Sequence, residues 1–433
     1  MHRLLGQSEH FLWLLSQSTP MNIVLCASVK GTLTINQLRK ALKQVQYRHP
    51  LLSVKITTDD KNQPLFTEED VPDIPLRVID WQEERWCQEV EEELFYPIPW
   101  NTGPLVRVTF LHSTEVCQLI VTIDHCISDG LSGAYLVRDI LHAASQPDTQ
   151  TQRLPKQPPW EEMMPPLQKT LSIDRAKEEY LEQDRSLSRS EQKNFLDRES
   201  KKWQLRLFHW SLSPEQTHAI VTCCRKEKTT VQGALCAAFL LSIAAEIDLR
   251  HQEFVKCLSP LSLRKYLVPP IGEDFGQYIS RIMTRHQCNN PSDVSQLWQI
   301  AHKVKQQINQ AVISGNIFRS GSALSRFLST KPDPIATKQY ADKLVGSDLT
   351  VTNLGRLNIP QQFGQLHLQE LYLTVTGSEK EPIILGVTTI GDRMCITFRY
   401  LESIIPQSIA QKIQRGAMRR LDEVVTQYAD IIE

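Results

Sequence analysis

The 433-residue chain is predicted to be an α+β protein built in two halves. Three observations carry this expectation. The length exceeds one ordinary core, since domains usually hold roughly 100–200 residues. Short apolar strands and hairpins are mixed with amphipathic helices, and no Gly-rich phosphate loop marks a parallel nucleotide-binding sheet. Residues 146–166, rich in Pro and Gln, and the highly charged residues 167–203 separate two patterned regions. The halves are therefore residues 1–150 and 204–433, with 151–203 as a partly helical linker.

The elements follow from local pattern. Residues 22–29 are apolar and β-prone and read as a strand. A helix covers 34–48: Thr34 and Gln37 form a capping box, and Ile35, Leu38, Leu42 and Val45 share one face. His49-Pro50 stops it, because proline disfavours the helical region for the residue before it. Residues 51–57 read as another strand. Asn101-Thr102-Gly103-Pro104 is a turn that opens a hairpin, 105–111 and 116–123. In the first arm Val106, Val108 and Phe110 alternate with Arg107 and Thr109, the mark of a half-buried strand. The second arm is continuously apolar and belongs inside a sheet. The chain turns at Asp129-Gly130 and enters a helix over 132–144.

In the second half, a strand over 205–212 precedes a helix opening at Ser213-Pro214. A helix over 230–247 is apolar all round and must be buried. Val294, Leu297, Ala301, Val304 and Ile308 make an amphipathic helix. Strands recur near Thr350, Leu371 and Cys395, and a last helix runs from Gln407.

Composition narrows the function classes. The net charge of −1 argues against a globally basic nucleic-acid binder. No apolar run approaches the roughly 18 residues of a membrane span, and the first residues lack a signal core. A cytoplasmic monomer is expected. Ten cysteines are scattered without a Cys-x-x-Cys pair, so no metal site is expected. Cys223-Cys224 reads as two half-buried thiols in a reducing compartment.

His125 stands at the end of the apolar arm, with Asp129 and Gly130 four and five residues on. A base at a strand end is held rigidly, and imidazole titrates near neutrality. By composition alone, His-x-x-x-Asp-Gly arises in about one chain in twenty of this length. Asp129 reads as a brace that binds an arginine and holds the loop presenting His125.

The segment His125-Cys126-Ile127-Ser128-Asp129-Gly130-Leu131-Ser132 resembles the signature of the condensation-domain and chloramphenicol acetyltransferase-like superfamily. Other segments resemble the family in the same order: residues 5–14, Tyr47-Arg48-His49-Pro50-Leu51-Leu52, Gly103-Pro104-Leu105-Val106-Arg107, Leu261-Ser262-Leu263-Arg264, Gly276-Gln277-Tyr278-Ile279-Ser280 and Thr352-Asn353-Leu354-Gly355-Arg356. The stand-alone polyketide-associated acyltransferases, the phthiocerol dimycocerosyl transferase group, are the nearest in pattern. One departure stands out. The family usually carries two adjacent histidines, and Asp124 occupies the first position.

The resemblance implies two acetyltransferase-like subdomains in a V with a central tunnel. It implies an acyl thioester donor, on coenzyme A or on the phosphopantetheine arm of an acyl carrier protein, with no permanently bound cofactor and no metal. The acceptor would be an alcohol, giving an ester, with His125 as general base. Two alternatives stay open: an amide-forming condensation enzyme, and a non-catalytic homologue that binds acyl chains or a carrier protein, for which Asp124 speaks. Asp129 and Gly130 would support the site, with Arg48 as the partner of Asp129 and Arg264 as the runner-up. Asn353, Asp124 and Ser128 would line it, Asn353 either donating to an oxyanion or holding its turn. Cys126 would point away from His125. Arg415, Arg419 and Arg420 on the last helix would offer a basic face to an acidic carrier protein or be simply solvated.

Overall fold

The computed structural model describes residues 2–82, 85–166, 204–247, 254–288, 294–344 and 346–430. The charged part of the expected linker, 167–203, lies outside them.

Two six-stranded sheets organise the chain. The first runs Gln362–Phe363, Leu366–Val375, Asn22–Lys30, Val116–Asp124, Val106–His112, Leu76–Asp80. The second runs Ile279–His286, Val255–Ser262, Leu349–Leu357, Ile383–Ile390, Arg393–Leu401, Leu205–Leu212. Pairing is mostly antiparallel; the parallel pairs are Leu76–Asp80 with Val106–His112, and Leu349–Leu357 with each of its neighbours. A small third sheet joins His2–Leu4, Pro64–Thr67 and Lys55–Thr58.

The first sheet is not made from the first half alone. Leu366–Val375 pairs antiparallel with Asn22–Lys30 over the length of both. The expected boundary at 204–433 is therefore crossed by two strands that return to the N-terminal sheet. The exchange is stitched at its exit. Thr388 and Thr397 in the second sheet donate their hydroxyls to the Leu371 and Leu373 carbonyls. Gly386 allows this approach, since a Cβ there would stand 1.9 Å from the Leu373 oxygen.

Each sheet has its own helical cover. Ile35–Arg48 and Gly130–Ser145 pack Leu38, Leu42, Val45, Val137, Ile140 and Leu141 onto Leu25, Val121 and Ile123. In the second half, Val231–Glu246 lies beneath Val294–Ile313 and Gln407–Asp430. Its apolar circumference follows, because it is covered by a sheet on one side and helices on the other. Among the described residues no single helix is long and apolar enough to cross a membrane.

Local expectations hold where side chains cap or alternate. Thr34 and Gln37 form the reciprocal capping box, and Thr230 caps the buried helix through Gly233 N–H. Two differ. The expected strand at 51–57 begins as a 3-10 turn, Pro50–Ser53, that drives Leu51 and Leu52 into the core, and the strand is Lys55–Thr58. The helix expected from 132 starts at Gly130, because Asp129 caps it.

Candidate active site

The loop after Val116–Asp124 is fixed by its own polar atoms. His125 N–H extends the ladder to Met21 O at 2.7 Å. Asp124 Oδ1 accepts from Cys126 N–H at 2.9 Å, closing a turn. Ser128 Oγ donates to Asp129 O at 3.0 Å. Asp129 Oδ1 accepts from Ser132 N–H at 2.7 Å and so starts the next helix.

His125 Nδ1 lies 2.7 Å from Ser128 O. A carbonyl oxygen only accepts, so Nδ1 carries the hydrogen and Nε2 of the neutral ring keeps its lone pair. Burial lowers the imidazole pKa below 6.5, and the Arg281 charge adds to this; the Ser128 carbonyl and Asp129 oppose it. The ring is neutral at physiological pH.

His125 opens on a cavity of about 580 Å³ between the halves. Its floor is a face of the second sheet. Ile279, Arg281 and Met283 alternate along one strand, and the register places Met283, Leu258, Thr350 and Ile384 in one row across four strands. Phe11 and Leu12 from the helix Gln7–Ser16 and Leu324 and Phe327 from Arg319–Ser329 form the roof, with Tyr340 beside them. Phe327 stacks on Tyr340 with centroids 3.9 Å apart. Arg281, Arg319 and Arg326 also reach this space.

The brace on the loop comes from the other half. Arg264 Nη2 lies 3.3 Å from Asp129 Oδ1 and 2.6 Å from Ser132 Oγ. Its Nη1 donates to the carbonyls of Gly272 and Asp274, each at 2.8 Å. Tyr278 N–H reaches Asp129 Oδ2 at 3.0 Å. Ser132 Oγ donates to Gly276 O at 2.6 Å and accepts from Gly276 N–H at 3.0 Å.

Arg48, the first expected partner of Asp129, is not its partner. Arg48 Nε meets Asp139 Oδ2 at 3.2 Å. Asp139 lies ten residues along the helix from Asp129, about 15 Å away at helical rise, so Arg48 holds that helix further down. His49 Nε2 shares the same carboxylate oxygen at 2.9 Å.

Of the three expected lining residues, none faces the cavity. Asp124 is buried behind the loop, where burial pushes its carboxyl pKa up to about 6. Ser128 is buried and serves His125 through its carbonyl. Asn353 Oδ1 accepts from Gly355 N–H at 2.8 Å, which makes it a turn residue at the bulge of its strand. Cys126 is buried in the first core, and burial and Asp124 push its thiol pKa up. A Cβ at Gly130 would meet the end of the Leu354 side chain, Cδ2, at 2.9 Å, so the helix start packs closely against that leucine. Arg420 turns inward to Ser242 Oγ at 3.2 Å and Arg419 pairs with Glu423 at 3.5 Å, so the last helix is not a plain basic face.

Sequence reading assigned no role to Ser132, Gly276, Gln277 or Tyr278. The signal was present: Ser132 stands at the third position after a capping aspartate, and residues 276–278 lie in a motif already singled out. That these two segments touch is a tertiary fact.

Residues 203–399 match the family described as Phthiocerol/phthiodiolone dimycocerosyl transferase C-terminus. Polyketide synthase PksN of Bacillus subtilis (strain 168) is 26% identical over 155 residues, which are 33% of this chain and 3% of that protein. Polyketide synthase associated protein 5 from Mycobacterium tuberculosis superposes with a TM-score of 0.67 at 14% identity, covering 98% of both chains. TRI3 trichothecene 15-O-acetyltransferase from Fusarium sporotrichioides does so with a TM-score of 0.72 at 12% identity, covering 98% of this chain and 95% of that one. At such identity these two show the fold. The chain thus shares its fold end to end with these two proteins, and its second half resembles the C-terminal part of the dimycocerosyl transferases.

Proposed function

We propose that the chain transfers an acyl group from a coenzyme A or carrier-protein thioester to an alcohol, with His125 as general base. The observation that carries this reading is the Nδ1–H bond from His125 to the Ser128 carbonyl, which leaves Nε2 as the unprotonated nitrogen of a ring lining the inter-half cavity. Nε2 takes the proton of the acceptor hydroxyl as its oxygen attacks the thioester carbonyl. The tetrahedral intermediate collapses, the C–S bond breaks, and the thiolate receives the proton from His125. Ester and free thiol leave, and no acyl-enzyme forms.

The walls fit a thioester donor. Phe11, Leu324, Phe327 and Met283 surround an apolar space suited to an acyl chain. Arg281, Arg319 and Arg326 suit a phosphate of coenzyme A or of a phosphopantetheine arm. The Fusarium neighbour is an O-acetyltransferase, which supports an oxygen acceptor.

The test incubates purified protein with acyl-CoA and acyl-carrier donors and with alcohol and amine acceptors, reading products by intact mass. Ester formation that His125→Ala abolishes is expected. Near-full activity of His125→Ala removes the base assignment, and amide as the sole product replaces the alcohol by an amine.

A further inference from the structure

We infer that Gln277 is a catalytic residue of the acyl transfer, its carboxamide N–H donating to the oxyanion that develops on the thioester carbonyl. This rests on the acyltransferase reading above and deepens it.

Gln277 lines the same cavity as His125 and is 6% exposed. Its Oε1 is buried and meets no donor, and among the described residues it is the one cavity-lining side chain with such an atom. Among the described residues no acceptor takes its Nε2 either. With the carbonyl end shut in, the amino end is the one turned to the cavity. The carboxamide therefore keeps an N–H donor that an acceptor atom of a bound ligand can complete.

The backbone around Gln277 is clamped to the loop that presents the base. Gly276 is held on both its N–H and its carbonyl by Ser132 Oγ, and Tyr278 N–H is held by Asp129 Oδ2. Tyr278 O in turn accepts from Leu263 N–H at 2.8 Å. Gln277 and His125 are thus fixed to one another through Asp129 and Ser132, although they belong to different halves. A donor so held needs no reorganisation when charge appears, which is the condition for oxyanion stabilisation. Asn353, the amide that sequence suggested for this task, spends its oxygen on its own turn and does not reach the cavity.

The experiment measures kcat, KM and Tm for wild type, His125→Ala, Gln277→Leu and Gln277→Glu with one acyl-CoA and one alcohol that wild type turns over. Gln277→Leu is expected to lose roughly 100-fold in kcat with KM little changed. Its Tm is expected to hold or rise, because an unpaired buried polar atom is removed. Gln277→Glu loses the donor and adds negative charge, so its kcat falls at least as far. Unchanged kcat, a change confined to KM, a fall in Tm that tracks the fall in activity, or a Gln277→Glu enzyme faster than Gln277→Leu each overturns the assignment. If His125→Ala is dead while Gln277→Leu is active, the acyltransferase reading stands and this one falls. If wild type turns over no thioester in a broad panel, both fall.

Discussion

Tyr278 donates its backbone N–H to Asp129 Oδ2 at 3.0 Å, joining the second sheet to the loop that carries His125. The carboxylate is also the cap of the helix Gly130–Ser145 and the partner of a buried guanidinium. One side chain therefore ties helix start, base loop and opposite half together. Asp129→Asn keeps a capping oxygen but leaves the Arg264 charge unpaired. We expect a loss of about 3 kcal/mol in denaturant unfolding, with reduced turnover. A variant with wild-type melting and rate would remove the brace.

The two arginines weighed for this role separate cleanly. Arg264 is 7% exposed and Arg48 33% exposed at the side chain. Arg264→Met is expected to destabilise by about 3 kcal/mol and to reduce activity. Arg48→Met is expected to cost no more than about 1 kcal/mol and to leave kcat within about twofold, since Asp139 is not bonded to the base loop. Equal losses in both would contradict the observed pairing.

Activity should persist into mild acid. Burial lowers the His125 pKa below 6.5, so the neutral base survives at pH values where an exposed histidine is already protonated. The acid limb of kcat/KM is expected below 6.5, and Arg281→Gln is expected to move it upward, because one opposing positive charge is gone. A limb above 6.5 in wild type would assign it to another group.

Asp124 has the opposite sign. Its folded pKa of about 6 exceeds the ordinary 3.8, so the folded state holds its proton between those values. The burial penalty is absent below 3.8, grows as pH rises, and is complete above about 6. Asp124→Asn keeps an acceptor for Cys126 N–H and carries no charge. We expect it to stabilise by up to about 3 kcal/mol near pH 8, to change nothing near pH 3, and to leave turnover intact. A loss of activity without a loss of stability would return Asp124 to the chemistry.

Phe327 and Tyr340 stack at the roof of the cavity, with Phe11 set edge-on to both. Phe327→Ala opens this wall. Its ratio of kcat/KM for bulky over short acyl donors is expected to rise by roughly tenfold, read from competition between two donors. An unchanged ratio would place the acyl chain elsewhere.

How much of this was legible in the sequence depends on the range of the interaction. The helix Ile35–Arg48, the hairpin ending at Asp124 and the buried helix Val231–Glu246 were readable because capping, alternation and periodicity act within a few residues. The return of Leu366–Val375 to the first sheet was not, since its strand pattern is the same whichever sheet it joins. At the site, His125 and Asp129 stood out by their spacing. Arg48 over Arg264 was a choice between two arginines, each in a segment resembling the family, and no local rule ranks them.

The sequence by itself determined that a histidine follows an apolar strand, that an aspartate and a glycine come four and five residues after it, and that strands and helices fill two halves. These are consequences of backbone hydrogen bonding and side-chain period. Tertiary structure decided what Asp129 binds, that Asn353 closes a turn while Gln277 faces the cavity, and that the halves share a sheet. The reason is physical: each of those contacts joins residues more than a hundred positions apart or turns on which way a side chain faces, and a folded core alone brings them within hydrogen-bonding distance.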